Sequence, residues 1–192
     1  MPDSKRLEKI RTVVAHRRTD LTVVLEDIHD PHNAEAIIRT CEAFGILQIH
    51  FVFKNEKQYN PKRVGKASSS AANKWIDFRI HHSTSDCIDE LKKANYKIFG
   101  AVLGQDNQSL FTVRFNTIAT ALLFGNERDG LSQTALESAD QKITIPIIGM
   151  TQSLNVSVAA AIFIYEVVRQ KGSEGNLETE DQQKLINDYS LR

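Results

Sequence analysis

Apolar segments rich in β-branched residues alternate with helical patterns along most of this 192-residue chain. The apolar segments predict strands at residues 21–26, 49–53, 76–80, 97–103, 119–124 and 142–148. Helical patterns lie between several of them, at residues 33–44, 85–94, 132–139 and 155–170. Strands that alternate with helices favour parallel pairing, and nearly continuous apolar strands are typical of a sheet covered on both faces. The pattern therefore predicts an α/β domain with a mostly parallel sheet flanked by helices.

Charge is balanced overall but unevenly distributed. Lysine plus arginine and aspartate plus glutamate both number 24, so net charge says nothing about partners. Residues 1–18 and 54–74 are each locally basic, and such patches either contact phosphates or are simply solvated surface. An amphipathic helix precedes the first strand, and a polar tail that ends the chain can dock a short helix. We predict a helical segment at 1–20, a domain at 21–171 and a helical tail at 172–192.

Several common classes of site lack their sequence signature. The nine glycines never form G-x-G-x-x-G or the P-loop pattern, so a nucleotide-like cofactor would need another loop. Two cysteines suggest no disulfide framework, and none of the six histidines has metal-ligand spacing, so no metal is expected. Without a signal peptide or an apolar run of about 20 residues, no membrane partner and a cytoplasmic location are expected.

The first polar motif is PHNAEAIIRTCEAFG at residues 31–45. Asn33 is a predicted helix N-cap and Gly45 a predicted stop, and Cys41 lies on the apolar face as an expected buried thiol. Arg39 points the opposite way. It either pairs with Glu35 and Glu42 on a solvated face or, beside small alanines, meets another surface.

The second motif is ALLFGNERDGLS at residues 121–132, where an apolar strand stops at Gly125 and a charged turn follows. Glu127 is either a solvated turn residue or part of a site, because ligands of open α/β sheets bind at the carboxyl ends of strands.

The third motif runs from 145 to 168, where a short strand leads through a polar loop into an apolar helix. Gly149 permits a sharp bend, and Ser153 and Asn155 lie between two buried elements. Buried polar groups without partners cost about 1–3 kcal/mol, so this loop wraps a ligand or folds its polar groups inward. The helix is apolar nearly all round, which fits either a helix held against a partner subunit or a central helix of a monomer.

Together, N-x-x-x-x-x-R, an apolar strand ending in G-x-E, and IP-x-x-G-x-x-x-SLNVS-x-A resemble the SpoU (TrmH-like) family of RNA ribose methyltransferases. The resemblance covers residues 21–170. It implies a SPOUT-type α/β fold with a C-terminal deep trefoil knot, a homodimer, and S-adenosyl-L-methionine as cofactor. It further implies 2′-O-methylation of a ribose, and the branch that modifies a guanosine at position 18 of the tRNA D-loop fits best. The same chemistry on rRNA or on the tRNA anticodon loop is the alternative.

The resemblance also assigns residues. The residues expected in catalysis are Arg39, Asn33, Glu127, Ser153 and Asn155. The residues expected to line the cofactor pocket are Ala101, Leu103, Gly125, Ile145, Ile147, Met150, Ser153 and Leu154. Contacts to tRNA phosphates are expected from Arg11, Lys62, Arg63 and Lys66.

Overall fold

The computed structural model describes residues 4–63, 72–104, 106–115 and 118–192 of the chain. Seven strands form one sheet in the order β3-β2-β1-β6-β4-β7-β5, and every pairing between these described strands is parallel. The strands are β1 (Leu21–Glu26), β2 (Gln48–Val52), β3 (Asp77–His81), β4 (Lys97–Ala101), β5 (Gln108–Ser109), β6 (Thr120–Phe124) and β7 (Gln141–Thr144). The predicted α/β class with a mostly parallel sheet is confirmed.

Helices cover both faces of the sheet. They are α1 (Ser4–Ala15), α2 (Pro31–Ala43), α3 (Thr84–Lys93), α4 (Gln133–Ser138), α5 (Val156–Lys171) and α6 (Thr179–Leu191), with a 3-10 turn at Ala72–Lys74. Side chains of α2 and α5 join the larger apolar core on one face, while α3 and α4 join a second core on the other. A parallel sheet needs both layers, because its strands are apolar on both sides.

The predicted strands are present in the structure, but several of them end at other residues than predicted. Strand β4 ends at Ala101 and β7 ends at Thr144, earlier than the apolar runs indicated, because the chain leaves the ladder there to line a cavity. Strand β5 was not predicted, since two residues carry no periodicity. The expectation of cover on both faces is wrong for the edge strand β3, where Ile80 is 41% exposed.

The predicted capping of α2 is half right. Asn33 is not the N-cap, because the helix begins at Pro31 and the Asp30 side chain accepts a hydrogen bond from the His32 N–H. Proline suits the first helical position, since the missing N–H would have no partner there. Gly45 does end the helix: its φ is +76°, and an added Cβ would lie 2.4 Å from the His16 carbonyl oxygen. Cys41 is fully buried as expected, and burial raises the pKa of its thiol.

The two ends of the chain pack together. Helices α1 and α6 share a small apolar cluster in which Tyr189 packs edge-on against Trp75. Arg17 is buried and forms a salt bridge of 2.9 Å with Glu42 of α2.

Nowhere in the described ranges is a helix both long and apolar enough to span a bilayer, and the cytoplasmic location stays a prediction.

Candidate functional site

A cavity of about 490 Å³ lies where β4, β6 and β7 end. These are neighbouring strands of a parallel sheet, so the segments that follow them meet at one edge. The lining is drawn from residues 101–103, 124–131 and 153–156, together with Leu136, Ile145, Ile147, Ala159 and Phe163. Its volume is in the range of roughly 300–1,000 Å³ that proteins use for small ligands.

A tight turn after β6 forms one wall of this cavity. Asn126 and Gly130 exchange two backbone hydrogen bonds of 3.0 and 2.9 Å, and Gly130 has φ of +70°. The turn folds back so closely that a Cβ at Gly125 would lie 2.2 Å from the Gly130 carbonyl carbon. Real Cβ contacts are never this short, so only glycine fits at position 125 with this turn.

Hydrogen bonds accepted by Asp27 join the turn to the ends of β1 and β2. The Asp27 carboxylate accepts from the backbone N–H groups of Lys54, Asn55 and Glu56, and its own φ is +50°. Its carbonyl accepts a 2.7 Å hydrogen bond from the Asn126 side-chain amide. Three loops at the carboxyl edge are thereby held in one arrangement.

Glu127 lies at the cavity and fastens the loop after β1. Its carboxylate accepts hydrogen bonds from the N–H groups of His29 at 2.9 Å and Asp30 at 3.2 Å, and from the Asn33 amide at 2.8 Å. Burial alone raises the pKa of Glu127, but these hydrogen bonds outweigh it and leave the pKa below its usual value. Glu127 is therefore a charged acceptor that orders the loop after β1 of its own chain.

Asn155 connects this loop to α5. Its side-chain oxygen caps the helix by accepting from the Ser157 N–H at 2.8 Å, and its amide donates to Asn33 Oδ1 at 3.0 Å. Asn33 in turn donates to Glu127. The relay Asn155–Asn33–Glu127 thus joins the polar residues of all three sequence motifs.

The structure brings most of the expected cofactor residues together. Seven of the eight line the cavity: Ala101, Leu103, Gly125, Ile145, Ile147, Ser153 and Leu154. Met150 does not line the cavity, and its side chain is fully exposed. A bend at Gly149 does not depend on the left-handed backbone conformation that glycine permits, since Gly149 has no positive φ.

The expected catalytic residues divide into two groups. Glu127, Ser153 and Asn155 line the cavity, and Asn33 joins them through hydrogen bonds. Arg39 is exposed on α2 and does not line the cavity of its own chain. One of its two expected partners, Glu42, is paired with Arg17.

The expected RNA-contacting residues lie on the surface where the structure describes them. Arg11, Lys62 and Arg63 are exposed, and Lys66 lies outside the described residues.

Sequence reasoning missed three residues at this site. Asp27 and Asn126 hold the loops together, and Arg128 lines the cavity. The signal for Asn126 was its place between Gly125 and Glu127, since asparagine favours turns. Asp27 showed no signal, because nothing in a sequence reveals which backbone N–H groups a carboxylate will meet.

The cavity suits a ligand with an apolar body and a few polar groups. Its walls are largely aliphatic and its mouth carries Glu127, Arg128 and Ser153. Within residues 4–63, 72–104, 106–115 and 118–192, no group of three potential metal ligands adjoins it.

Comparisons with known proteins agree with this geometry. The family model described as "SpoU rRNA Methylase family" matches residues 20–165. A tRNA (guanosine(18)-2′-O)-methyltransferase of Thermus thermophilus is 38% identical over 96% of this chain and 95% of its own. The crystal structure of a TrmH/SpoU tRNA modifying enzyme from A. aeolicus superposes with a TM-score of 0.86 at 32% identity, covering 97% of this chain and 95% of that one. The SpoU methyltransferase AviRb of Streptomyces viridochromogenes, solved in complex with AdoMet, has a TM-score of 0.70 at 27% identity, covering 89% and 66%.

Proposed function

The chain belongs to the SpoU methylase family, and from this premise we propose that it methylates the ribose 2′-hydroxyl of guanosine 18 in the tRNA D-loop, using S-adenosyl-L-methionine. One observation carries the proposal: the polar residues of all three family motifs meet in a single hydrogen-bonded relay at the mouth of one cavity. The three motifs are far apart in the sequence, and a common site explains why their polar residues are hydrogen-bonded to one another.

The cavity suits the cofactor in size and chemistry. Residues 101–103, Gly125, Ile145, Ile147 and Leu154 provide apolar surface and backbone groups for an adenosine, and Ser153 adds a hydroxyl at the mouth. S-Adenosylmethionine supplies the methyl group on a sulfonium, so the leaving group departs neutral and no acid is needed. The expected contact from Met150 stays a prediction.

The chain's own task is to align and activate a weak nucleophile. We assign this task to Arg39. A guanidinium keeps its proton, with a pKa above about 12, so Arg39 stabilises the developing alkoxide and holds a neighbouring phosphate and does not itself remove a proton. Asn33, Glu127 and Asn155 hold the loops around the reacting groups, and Ser153 orients the cofactor or the nucleophile.

Arg39 fits this task only if a second subunit is present, because it does not line the cavity of its own chain. We therefore propose a homodimer in which Arg39 of one subunit meets the cavity of the other. Support comes from α5, which is buried on one side but exposes Val158 by 48% and Tyr165 by 55% on the other. Apolar side chains on an exposed helix face favour a protein partner.

We also propose the C-terminal knot. The segment between β4 and β6 pairs with β7 through β5 and then holds the end of α5, since Gln170 bonds the Val113 carbonyl and the Phe115 N–H. Lys171 donates to the Ile118 carbonyl in the same place. If residues 145–171 pass through the loop between β4 and β6, that loop must contact both β7 and the end of α5, as it does. A crystal structure would test whether the chain is threaded in this way.

tRNA binding is assigned to the basic surfaces outside the cavity. We propose that the segment 1–20 contributes Arg11, that the loop after β2 contributes Lys62 and Arg63, that Lys66, which lies outside the described residues, contributes as well, and that 172–192 is a packing tail. Contacts of this kind to phosphates weaken steeply with salt.

The direct test is methylation of an unmodified tRNA transcript with labelled S-adenosylmethionine, followed by mapping of the labelled nucleotide. We expect one methyl group on guanosine 18, and none on a matched transcript that carries a 2′-deoxyguanosine there. Label in the anticodon loop, or only on rRNA, would replace this substrate by the alternative. No incorporation into any RNA would refute the proposed function.

A further inference from the structure

Two histidines and a cysteine converge on the face of the sheet opposite α2 and α5. His50 of β2, His81 of β3 and Cys87 of α3 each offer a ligand atom, and these atoms all lie within 4.8 Å of one another. His50 is 1% exposed and Cys87 fully buried, while His81 is only half-buried. The three residues are 31 and 6 positions apart, so only the parallel pairing of β2 with β3 brings them together.

The hydrogen bonds of His50 leave one ring nitrogen with a lone pair directed at the cluster. His50 Nε2 lies 3.0 Å from Gln48 Oε1, which can only accept, so Nε2 carries the proton. His50 Nδ1 is then unprotonated, and it lies 3.0 Å from His81 Nε2. An imidazole oriented by an oxygen acceptor on its far nitrogen is the usual arrangement of a metal-binding histidine.

The spacing of the ligand atoms is close to that of a tetrahedral site. With Zn–N of about 2.0–2.1 Å and Zn–S of about 2.3 Å, tetrahedral ligand atoms are about 3.3–3.7 Å apart. The two imidazole nitrogens, 3.0 Å apart, need to open by a few tenths of an ångström to admit an ion, and the Cys87 sulfur, within 4.8 Å of both, needs to approach them by at most about 1.3 Å. His81 is partly exposed, so the ion has a path from solvent.

We propose that His50, His81 and Cys87 bind a zinc-like divalent cation that fastens the exposed edge strand β3 to α3. On binding, the Cys87 thiol loses its proton to solvent water, and the proton of His81 moves from Nε2 to Nδ1, so that two imidazole nitrogens and a thiolate face the ion. These are the ligands that zinc prefers. Water completes the coordination, or Glu90, which follows Cys87 by one turn and acts on both His81 and Cys87.

Nearby charges act on the site in both senses: Arg79 and His82 disfavour a cation, whereas Glu26, Asp86 and Glu90 favour one. Arg79 lies opposite His50 in the register and disfavours a cation. Asp86 and Glu90 act on His81 in the opposite sense, so the local field is not uniformly positive. The site is separate from the proposed active site, and its loss leaves the cofactor cavity lined as before.

The test uses the full-length purified protein, stripped with a chelator and titrated with Co²⁺ and then Zn²⁺. We expect one ion per chain, a thiolate-to-cobalt charge-transfer absorption, and displacement of Co²⁺ by Zn²⁺. Cys87→Ser, a nearly isosteric change, should abolish the charge-transfer absorption and weaken Zn²⁺ binding at least tenfold. His81→Gln should weaken Zn²⁺ binding to a similar degree.

Two matched variants serve as controls. Cys41→Ser removes the other buried cysteine, and His82→Gln removes the exposed neighbour of His81. Both should bind Zn²⁺ as the parent does. The proposal is overturned if the parent shows no charge-transfer absorption, or if Cys87→Ser binds Zn²⁺ with unchanged affinity.

Discussion

At the scale of single residues, Arg39 carries the chemistry that the proposal requires. Arg39→Ala should lower methyl transfer by at least 100-fold, because the variant loses the cation that stabilises the negative charge developing on the ribose oxygen. The affinity of this variant for S-adenosylmethionine should change less than threefold, since the proposed partners of Arg39 are the ribose oxygen and a phosphate of the RNA and not the cofactor. Single-turnover methylation and titration calorimetry separate the two effects. Lys93→Ala, an exposed cation on α3, is the control, and near-normal turnover of Arg39→Ala would remove Arg39 from the mechanism.

Asn155 has two separable contacts, one to the α5 backbone and one to Asn33. Asn155→Ala should lower the free energy of unfolding by about 1 kcal/mol, the usual value of an N-cap. Asn155→Ser should restore the cap but not the amide bond to Asn33, so stability returns while methylation stays low. Urea unfolding measures the stability of both variants, and turnover assays measure their methylation. Equal recovery of both quantities in Asn155→Ser would mean that the relay has no catalytic role.

His50 makes stability depend on pH. Burial, then the charges of His81 and Arg79, lower its pKa from 6.5 to about 4, whereas the unfolded chain keeps the ordinary value. Between pH 6.5 and 4 the unfolded state therefore binds a proton that the folded state does not, so stability falls as pH falls. One such proton contributes at most about 1.4 kcal/mol per pH unit. Urea unfolding with a chelator present should show this dependence of the free energy of unfolding on pH in the parent and in His82→Gln, and a weaker dependence in His50→Gln. An equal dependence in all three proteins would contradict the role of His50.

At the scale of elements, the turn after β6 has the strictest requirement. Gly125→Ala places a Cβ against the backbone of Gly130, which cannot move without opening the turn. We expect a loss of about 1–3 kcal/mol in the free energy of unfolding and a weaker affinity for S-adenosylmethionine. Gly149→Ala is the stability control, because nothing lies within 4 Å of its Cβ. Denaturant unfolding measures both variants. Equal free energies of unfolding for Gly125→Ala and Gly149→Ala would contradict this requirement.

The elements also show what a sequence can and cannot predict. Strand β1 and the existence of the longer helices follow from apolar periodicity, and Gly45 was recognisable as a stop. The start of α2 was placed wrongly because Asp30 and Asn33 are both good caps, and the choice depends on Asn33 being engaged by Glu127 and Asn155. Strand β5 and the Asp27 contacts depend on pairing between distant segments, which no local pattern encodes.

At the scale of the whole molecule, the same limit separates the two sites. Most of the cavity lining was predictable because residues 124–131 and 145–163 belong to motifs that resemble a known family. The His50–His81–Cys87 cluster was not, because its ligands have no recognisable spacing and meet only through the register of β2 and β3. The resemblance thus predicts one site, whereas the other is recognisable only from the three-dimensional structure.

The central claim is that two subunits share each active site, with Arg39 of one reaching the cavity of the other. Complementation tests it most directly. Arg39→Ala is mixed with Ala101→Phe, whose ring would fill the cavity. Each variant alone should be inactive, and subunit exchange should be verified by mass.

A mixed dimer then pairs one intact cavity with one intact Arg39. If Arg39 acts across the interface, methylation of the tRNA transcript should return to roughly a quarter of the parent rate, because half of the dimers are mixed and each has one complete site. If Arg39 acted within its own chain, or if the protein were a monomer, no mixture would recover activity, and the account would be wrong.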